Sequence, residues 1–126
     1  MKGHAGATIL AIEDEPLNAS LLRAILTPAG YDLHIEPSLA DARDWLEGSV
    51  PELVLLDRHL PDGDGLELVP EIRASEAARS CRILVLSASV LPEDRAAAEL
   101  AGCDGFMAKP IRIAALLEEI RRQLES

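Results

Sequence analysis

A chain of 126 residues, 48% hydrophobic and 27% charged, is long enough for one domain around one core and too apolar for a disordered segment. Its net charge of −10 argues against a nucleic-acid partner and an anionic membrane surface, both of which need a basic face, and no apolar stretch approaches the roughly 18 residues that span a bilayer. The polar start, Met1-Lys2-Gly3-His4-Ala5-Gly6, has no signal-peptide core, and Cys81 and Cys103 match no metal-ligand spacing, so a cytoplasmic location with two free, small, buried thiols is expected.

Residues 7–12 form an apolar run that reads as a first strand, ending in the acidic cluster Glu13-Asp14-Glu15. Pro16 suits the first turn of a helix. Leu17, Leu21, Leu22, Ile25, Leu26 and Ala29 follow at helical spacing, with Gly30 as terminator. Residues 31–36 alternate apolar and polar, the pattern of a half-exposed edge strand. Ser38 followed by Asp41 resembles an N-terminal cap for a helix whose apolar face includes Trp45 and which ends at Gly48. Leu53-Val54-Leu55-Leu56 reads as a strand buried on both faces, with Asp57 at its tip. The stretch from Arg58 to Gly65 is rich in turn formers, among them Asp62 and Asp64. A third helix is expected over about 66–74 and a fourth strand over 83–86. Pro92 opens an alanine-rich helix to about 101, its alanines allowing close packing on the sheet. A short fifth strand covers 105–108. Ile113, Leu116, Leu117, Ile120 and Leu124 make the apolar stripe of a last helix running to Ser126, with Glu118, Glu119, Arg121 and Arg122 facing water. His4 and His34 read as ordinary surface residues.

Five strands alternating with five helices call for an α/β fold over residues 1–126: one parallel sheet, helices on both faces, right-handed crossovers. In such a sheet the C-terminal strand ends share one edge, where ligands bind. Here that edge carries Glu13, Asp14, Asp57, Ser87 and Lys109. Crowded carboxylates repel unless something positive offsets them, and three of them can build an oxygen site for Mg²⁺. A cation, a lysine and a hydroxyl around one carboxylate are what a phosphoryl group arriving there requires, because phosphoryl transfer asks mainly for positioning and charge neutralisation.

The chain resembles the receiver domain of two-component response regulators over essentially its whole length. The resemblance rests on Glu13-Asp14 after the first strand and on Leu53-Val54-Leu55-Leu56-Asp57 followed by Leu60-Pro61-Asp62-Gly63-Asp64-Gly65. Ser87-Ala88 and Phe106-Met107-Ala108-Lys109-Pro110 complete it. It implies the five-stranded flavodoxin-like order 2-1-3-4-5 in a three-layer sandwich. It implies that Asp57 accepts a phosphoryl group from a sensor histidine kinase or a histidine phosphotransfer protein. Asp14, Asp57 and the backbone carbonyl of His59 would bind Mg²⁺ directly, with Mn²⁺ as a substitute, and Glu13 mostly through water. Lys109 would pair with the phosphoryl oxygens, Ser87 would swing toward them, and the ring of Phe106 would turn inward behind it. A downstream protein would dock on the fourth helix, fifth strand and fifth helix. The peptide before Pro110 would be cis. The domain would catalyse at most its own phosphorylation and dephosphorylation.

Several positions depart from the commoner family pattern. The acid pair is Glu-Asp, Ser87 stands for threonine, and Phe106 stands for tyrosine, which removes any switch that uses a phenol hydroxyl. His59 and Ser89, two residues after Asp57 and Ser87, flank the path of an attacking water and would set the lifetime of the acyl phosphate. Asn18, two after Pro16, resembles receivers attached to or partnered with hybrid histidine kinases. Three rival readings remain open. An aspartyl-phosphate phosphatase of the haloacid-dehalogenase type would want an Asp where His59 stands, and a cap domain. A flavin binder would want a Ser/Thr/Gly-rich loop where Glu13-Asp14-Glu15 would repel a phosphate. A receiver-like scaffold that is never phosphorylated has no need of the full acidic and basic set.

Overall fold

The computed structural model describes residues 6–125; His4 and the expected helix end at Ser126 lie outside them. The order is β1 (Thr8–Ile12), α1 (Pro16–Leu26), β2 (Asp32–Glu36), α2 (Leu39–Gly48), β3 (Leu53–Asp57), α3 (Leu68–Ala74), β4 (Arg82–Ser87), α4 (Pro92–Ala101), β5 (Gly105–Ala108) and α5 (Ile113–Glu125). The five strands form one parallel sheet in the order β2-β1-β3-β4-β5. The flavodoxin-like order expected from the resemblance is the order found.

Successive side chains along a strand point to opposite faces, and the core divides accordingly. Leu10, Ile12, Val54, Leu56, Ile83 and Val85 pack with residues of α2, α3 and α4. Ile9, Ala11, Leu53, Leu55, Leu84 and Leu86 pack with Leu22, Ile25 and Leu26 of α1 and Leu116 and Ile120 of α5. Covering both faces is why the central strands are unbroken apolar runs, whereas β2, at an edge, is only partly buried.

Several boundaries and faces differ from the sequence reading. α1 stops at Leu26, and Gly30 lies in the following turn at φ +97°. Between β3 and α3 the chain makes a two-residue antiparallel ladder, His59–Leu60 with Gly63–Asp64, and then a 3-10 turn, Gly65–Glu67. The Asp64 carboxylate accepts from Leu66 N while Glu67 Oε2 accepts from Asp64 N, so the helix proper begins only at Leu68. In α5, Ile113 is exposed and Gln123 is buried. Gln123 Oε1 accepts from Arg82, and its amide donates to Glu119 Oε2 at 2.8 Å, drawing Glu119 partly out of solvent. His34 is not a bare surface residue. Its ring lies 5.2 Å from that of Trp45, and its Nε2 is 3.2 Å from Asp32 Oδ1.

Two contacts hold the ends of the sheet. At the N-terminal strand ends, the Arg73 guanidinium donates to the carbonyls of Arg79, Cys81 and Gly102 and to Asp104 Oδ2. Both thiols sit there; Cys81 and Cys103 are free, and burial pushes each up to about 11. At the opposite edge, Gly65 N donates to the Arg58 carbonyl at 2.8 Å. A Cβ at residue 65 would stand 2.1 Å from the Asp57 carbonyl oxygen, so glycine is required by close approach. Gly65→Ala must push the backbone of Asp57 aside. A loss of about 1–3 kcal/mol is expected, as for overpacking of a tight core site, read as a lower urea midpoint; a midpoint equal to that of the parent chain would contradict the close approach.

Candidate functional site

The parallel arrangement brings the C-terminal ends of β1, β3, β4 and β5 to one edge. Glu13 and Asp14 follow β1, Asp57 and Ser87 are the last residues of β3 and β4, and Lys109 follows β5. Glu13 is 3% exposed, Asp57 6% and Ser87 1%, whereas Asp14 is open to solvent. One carboxylate oxygen from each of Glu13, Asp14 and Asp57 lies within 4.8 Å of the others. The sequence triplet is thus divided in use. Glu13 and Asp14 face the cluster, while Glu15 turns back to cap α1, its Oε1 accepting from Leu17 N at 2.7 Å and Asn18 N at 3.4 Å.

Lys109 supplies the positive charge of the pocket. Its Nζ stands 3.1 Å from Glu13 Oε1 and 3.3 Å from Asp57 Oδ2. The Lys109–Pro110 peptide is cis, and Lys109 N donates to the Ser87 carbonyl at 2.8 Å, which ties the lysine to the end of β4. Asp57 Oδ1 accepts from His59 N at 3.3 Å, and Glu13 Oε2 accepts from Glu15 N at 3.1 Å. Burial raises the Glu13 carboxyl above its ordinary value; the Glu15 N–H and Lys109 pull the other way without cancelling it.

The charge balance of this edge invites a cation. Three carboxylates face one ammonium, so negative charge is left over. The donors are hard oxygens, the set that suits Mg²⁺. Glu13, Asp14 and Asp57 therefore fit a divalent cation, with Asp14 giving access from solvent.

The remaining expected residues surround this cluster. Ser87 Oγ accepts from Ser89 N at 3.1 Å, and the ring of His59 is exposed. Phe106 is half-buried against the core, with the Arg95 guanidinium 4.9 Å above its ring. Two residues escaped the sequence reading. Arg58 forks onto Asp64 and reaches Asp94, and Asp94 accepts from Ser89 Oγ. No motif marks them, because the loop after β3 and the first turn of α4 meet only in the fold. Asp62 does more than form a turn. Its oxygens accept from Leu39 N and Ala40 N at the start of α2, and these bonds hold its carboxyl below the usual range.

Glu13 makes the cost of the pocket measurable. An acid whose folded pKa lies above its unfolded value stabilises the fold only while protonated, so stability is lost as pH rises from about the ordinary 4.5 through the folded value. Without divalent cation, Glu13→Gln is expected to be more stable than the parent chain at neutral pH, with the gain vanishing toward pH 4 in denaturant titrations. A variant less stable at neutral pH would contradict this.

The receiver-domain family model, described as the response regulator receiver domain, matches residues 9–121. The polar-differentiation response regulator DivK of Brucella ovis is 27% identical over 117 residues, covering 93% of this chain and 95% of that protein. The receiver domain of the sensor histidine kinase PA1611 of Pseudomonas aeruginosa, solved with a magnesium ion coordinated in its active-site cleft, is 34% identical. It superposes with a TM-score of 0.88, covering 97% of this chain and all of that one. The chemotaxis protein CheY4 of Vibrio cholerae, 24% identical, shares the fold at a TM-score of 0.89, covering 94% of this chain and 99% of that one. With a five-stranded receiver fold, a carboxylate cluster at its ligand edge and a family match spanning nearly the whole chain, this protein belongs to the response regulator receiver domains of two-component systems.

Proposed function

We propose that this receiver is a phosphorylation switch that accepts a phosphoryl group on Asp57 from a phosphohistidine of a sensor histidine kinase or histidine phosphotransfer protein. The observation that carries the reading is Lys109 Nζ set between Glu13 and the buried Asp57. That contact gives one carboxylate a neighbouring cation at the point where phosphoryl charge would gather. In the transfer, an Asp57 carboxylate oxygen bonds to phosphorus as the phosphorus–nitrogen bond breaks, and the electron pair returns to the donor imidazole.

Glu13, Asp14 and Asp57, with the backbone carbonyl of His59, would hold Mg²⁺. When bound, the ion supplies charge neutralisation for the phosphoryl oxygens. Lys109 exchanges its contact with Asp57 for the phosphoryl group. Ser87, released from Ser89 N, donates its hydroxyl to the same group. Phe106 then follows into the space behind Ser87, leaving Arg95, and the face of α4, β5 and α5 changes for a downstream protein. Because Phe106 has no phenol, the signal passes by ring packing alone. The chain acts on no substrate beyond its own acyl phosphate, and its compartment is the cytoplasm. The phosphatase alternative finds no acid at residue 59, whose ring is exposed.

Incubation with acetyl phosphate and Mg²⁺ is expected to add the mass of one phosphoryl group, lost with chelator or in Asp57→Asn. An adduct that survives Asp57→Asn, or no adduct in the parent chain, would sink the proposal. Lys109→Ala is expected to keep Mg²⁺ binding by calorimetry but to uncouple Ser87 and Phe106 from phosphorylation, so that their NMR resonances stay at the unmodified positions. Shifts like those of the phosphorylated parent chain would refute the role given to the lysine.

A further inference from the structure

A chain of contacts runs from the loop after Asp57 to the loop after Ser87. The Arg58 guanidinium forks onto Asp64, Nε to Oδ1 at 3.2 Å and Nη2 to Oδ2 at 2.7 Å, which fixes it in place. Its Nη1 stands 3.5 Å from Asp94 Oδ1 in α4. Both side chains are largely out of solvent, Arg58 17% and Asp94 19% exposed. Asp94 Oδ2 accepts from Leu91 N at 3.1 Å and from Ser89 Oγ at 2.5 Å. Ser89 N in turn donates to Ser87 Oγ at 3.1 Å.

Capping the first turn of α4 explains the bond from Leu91 N. It does not explain the bond from the Ser89 hydroxyl, which α4 does not need. A hydroxyl has one proton and two lone pairs. With its proton committed to Asp94, Ser89 Oγ can only accept. Asp94 therefore decides which way the hydroxyl faces, and Arg58 stands against the other oxygen of the same carboxylate.

We propose that Asp94, held by Arg58, is a positioning residue for hydrolysis of the acyl phosphate on Asp57. This rests on the switch reading above. In the reaction the water oxygen bonds to phosphorus as the bond from phosphorus to the Asp57 oxygen breaks. The electron pair returns to the carboxylate. One water proton remains as the new phosphate hydroxyl, and the other passes to a second phosphate oxygen. A water held by its proton keeps its lone pair free to attack. A water that receives a proton from a hydroxyl has that lone pair engaged. By holding Ser89 as an acceptor, Asp94 favours the first arrangement and shortens the life of the modified state.

The test is the lifetime of the adduct after removal of acetyl phosphate, followed by intact mass in Mg²⁺. Asp94→Asn keeps the shape of the cap but can present an amide donor to Ser89. It is expected to prolong the adduct about three- to tenfold, the range a single hydrogen bond spans. Arg58→Met, which leaves the cap untouched, is expected to prolong it in the same direction and by less. In a Ser89→Ala background neither substitution should have further effect, an outcome that a merely structural contact would not produce. Unchanged or shortened lifetimes, or prolongation that persists in Ser89→Ala, would overturn the inference while leaving the switch intact. A parent chain that takes no phosphoryl group at all would overturn both.

Discussion

The structure turns on an electrostatic imbalance at one edge of a sheet. Two buried carboxylates and one exposed one converge there, and one lysine stands against them. Burying charge is costly unless it is paired. Here burial raises the Glu13 carboxyl, and its contacts with Lys109 and Glu15 N only partly offset that. A site that is comfortable when empty has little reason to change when filled. This one is short of positive charge, and it gains most from a ligand that brings some.

Everything else serves to hold that imbalance in place. The sheet is buried on both faces, so the strands fix their C-terminal residues with little freedom. Glu13 follows β1, Asp57 ends the adjacent β3, and Ser87 ends β4 beside it. Lys109 is tied to Ser87 by its backbone N–H. Gly65 lets the loop after Asp57 fold back against the Asp57 carbonyl, and Asp62 carries that loop across to the start of α2. The edge is thereby held from the strand ends and from the loops that fold back against them.

The sequence made the layers legible because burial on both faces writes itself as unbroken apolar runs. Leu53 to Leu56 read as a strand buried on both faces, and the strand tip then located Asp57. The five site residues were legible together because topology, not spacing, brings strand ends to one edge. What stayed hidden depends on side-chain contacts that no periodicity announces. Arg58 and Asp94 look like ordinary surface charges until α4 packs beside the loop after β3. Ile113, expected in the apolar stripe, is exposed, and Gln123 is buried instead because Arg82 of β4 and Glu119 of its own helix take up its amide. Glu15 reads as part of an acidic cluster, yet the first helix claims it as a cap.

The central claim is that the imbalance exists to place a phosphoryl group on one particular carboxylate out of 22 acidic residues. Borohydride reduces an acyl phosphate of aspartate to homoserine, which marks the modified residue permanently. Peptide mapping after treatment with acetyl phosphate, Mg²⁺ and then borohydride should find homoserine at Asp57 alone, and none when Mg²⁺ is withheld. Homoserine at Asp14 or any other acid, or at Asp57 regardless of Mg²⁺, would contradict the account.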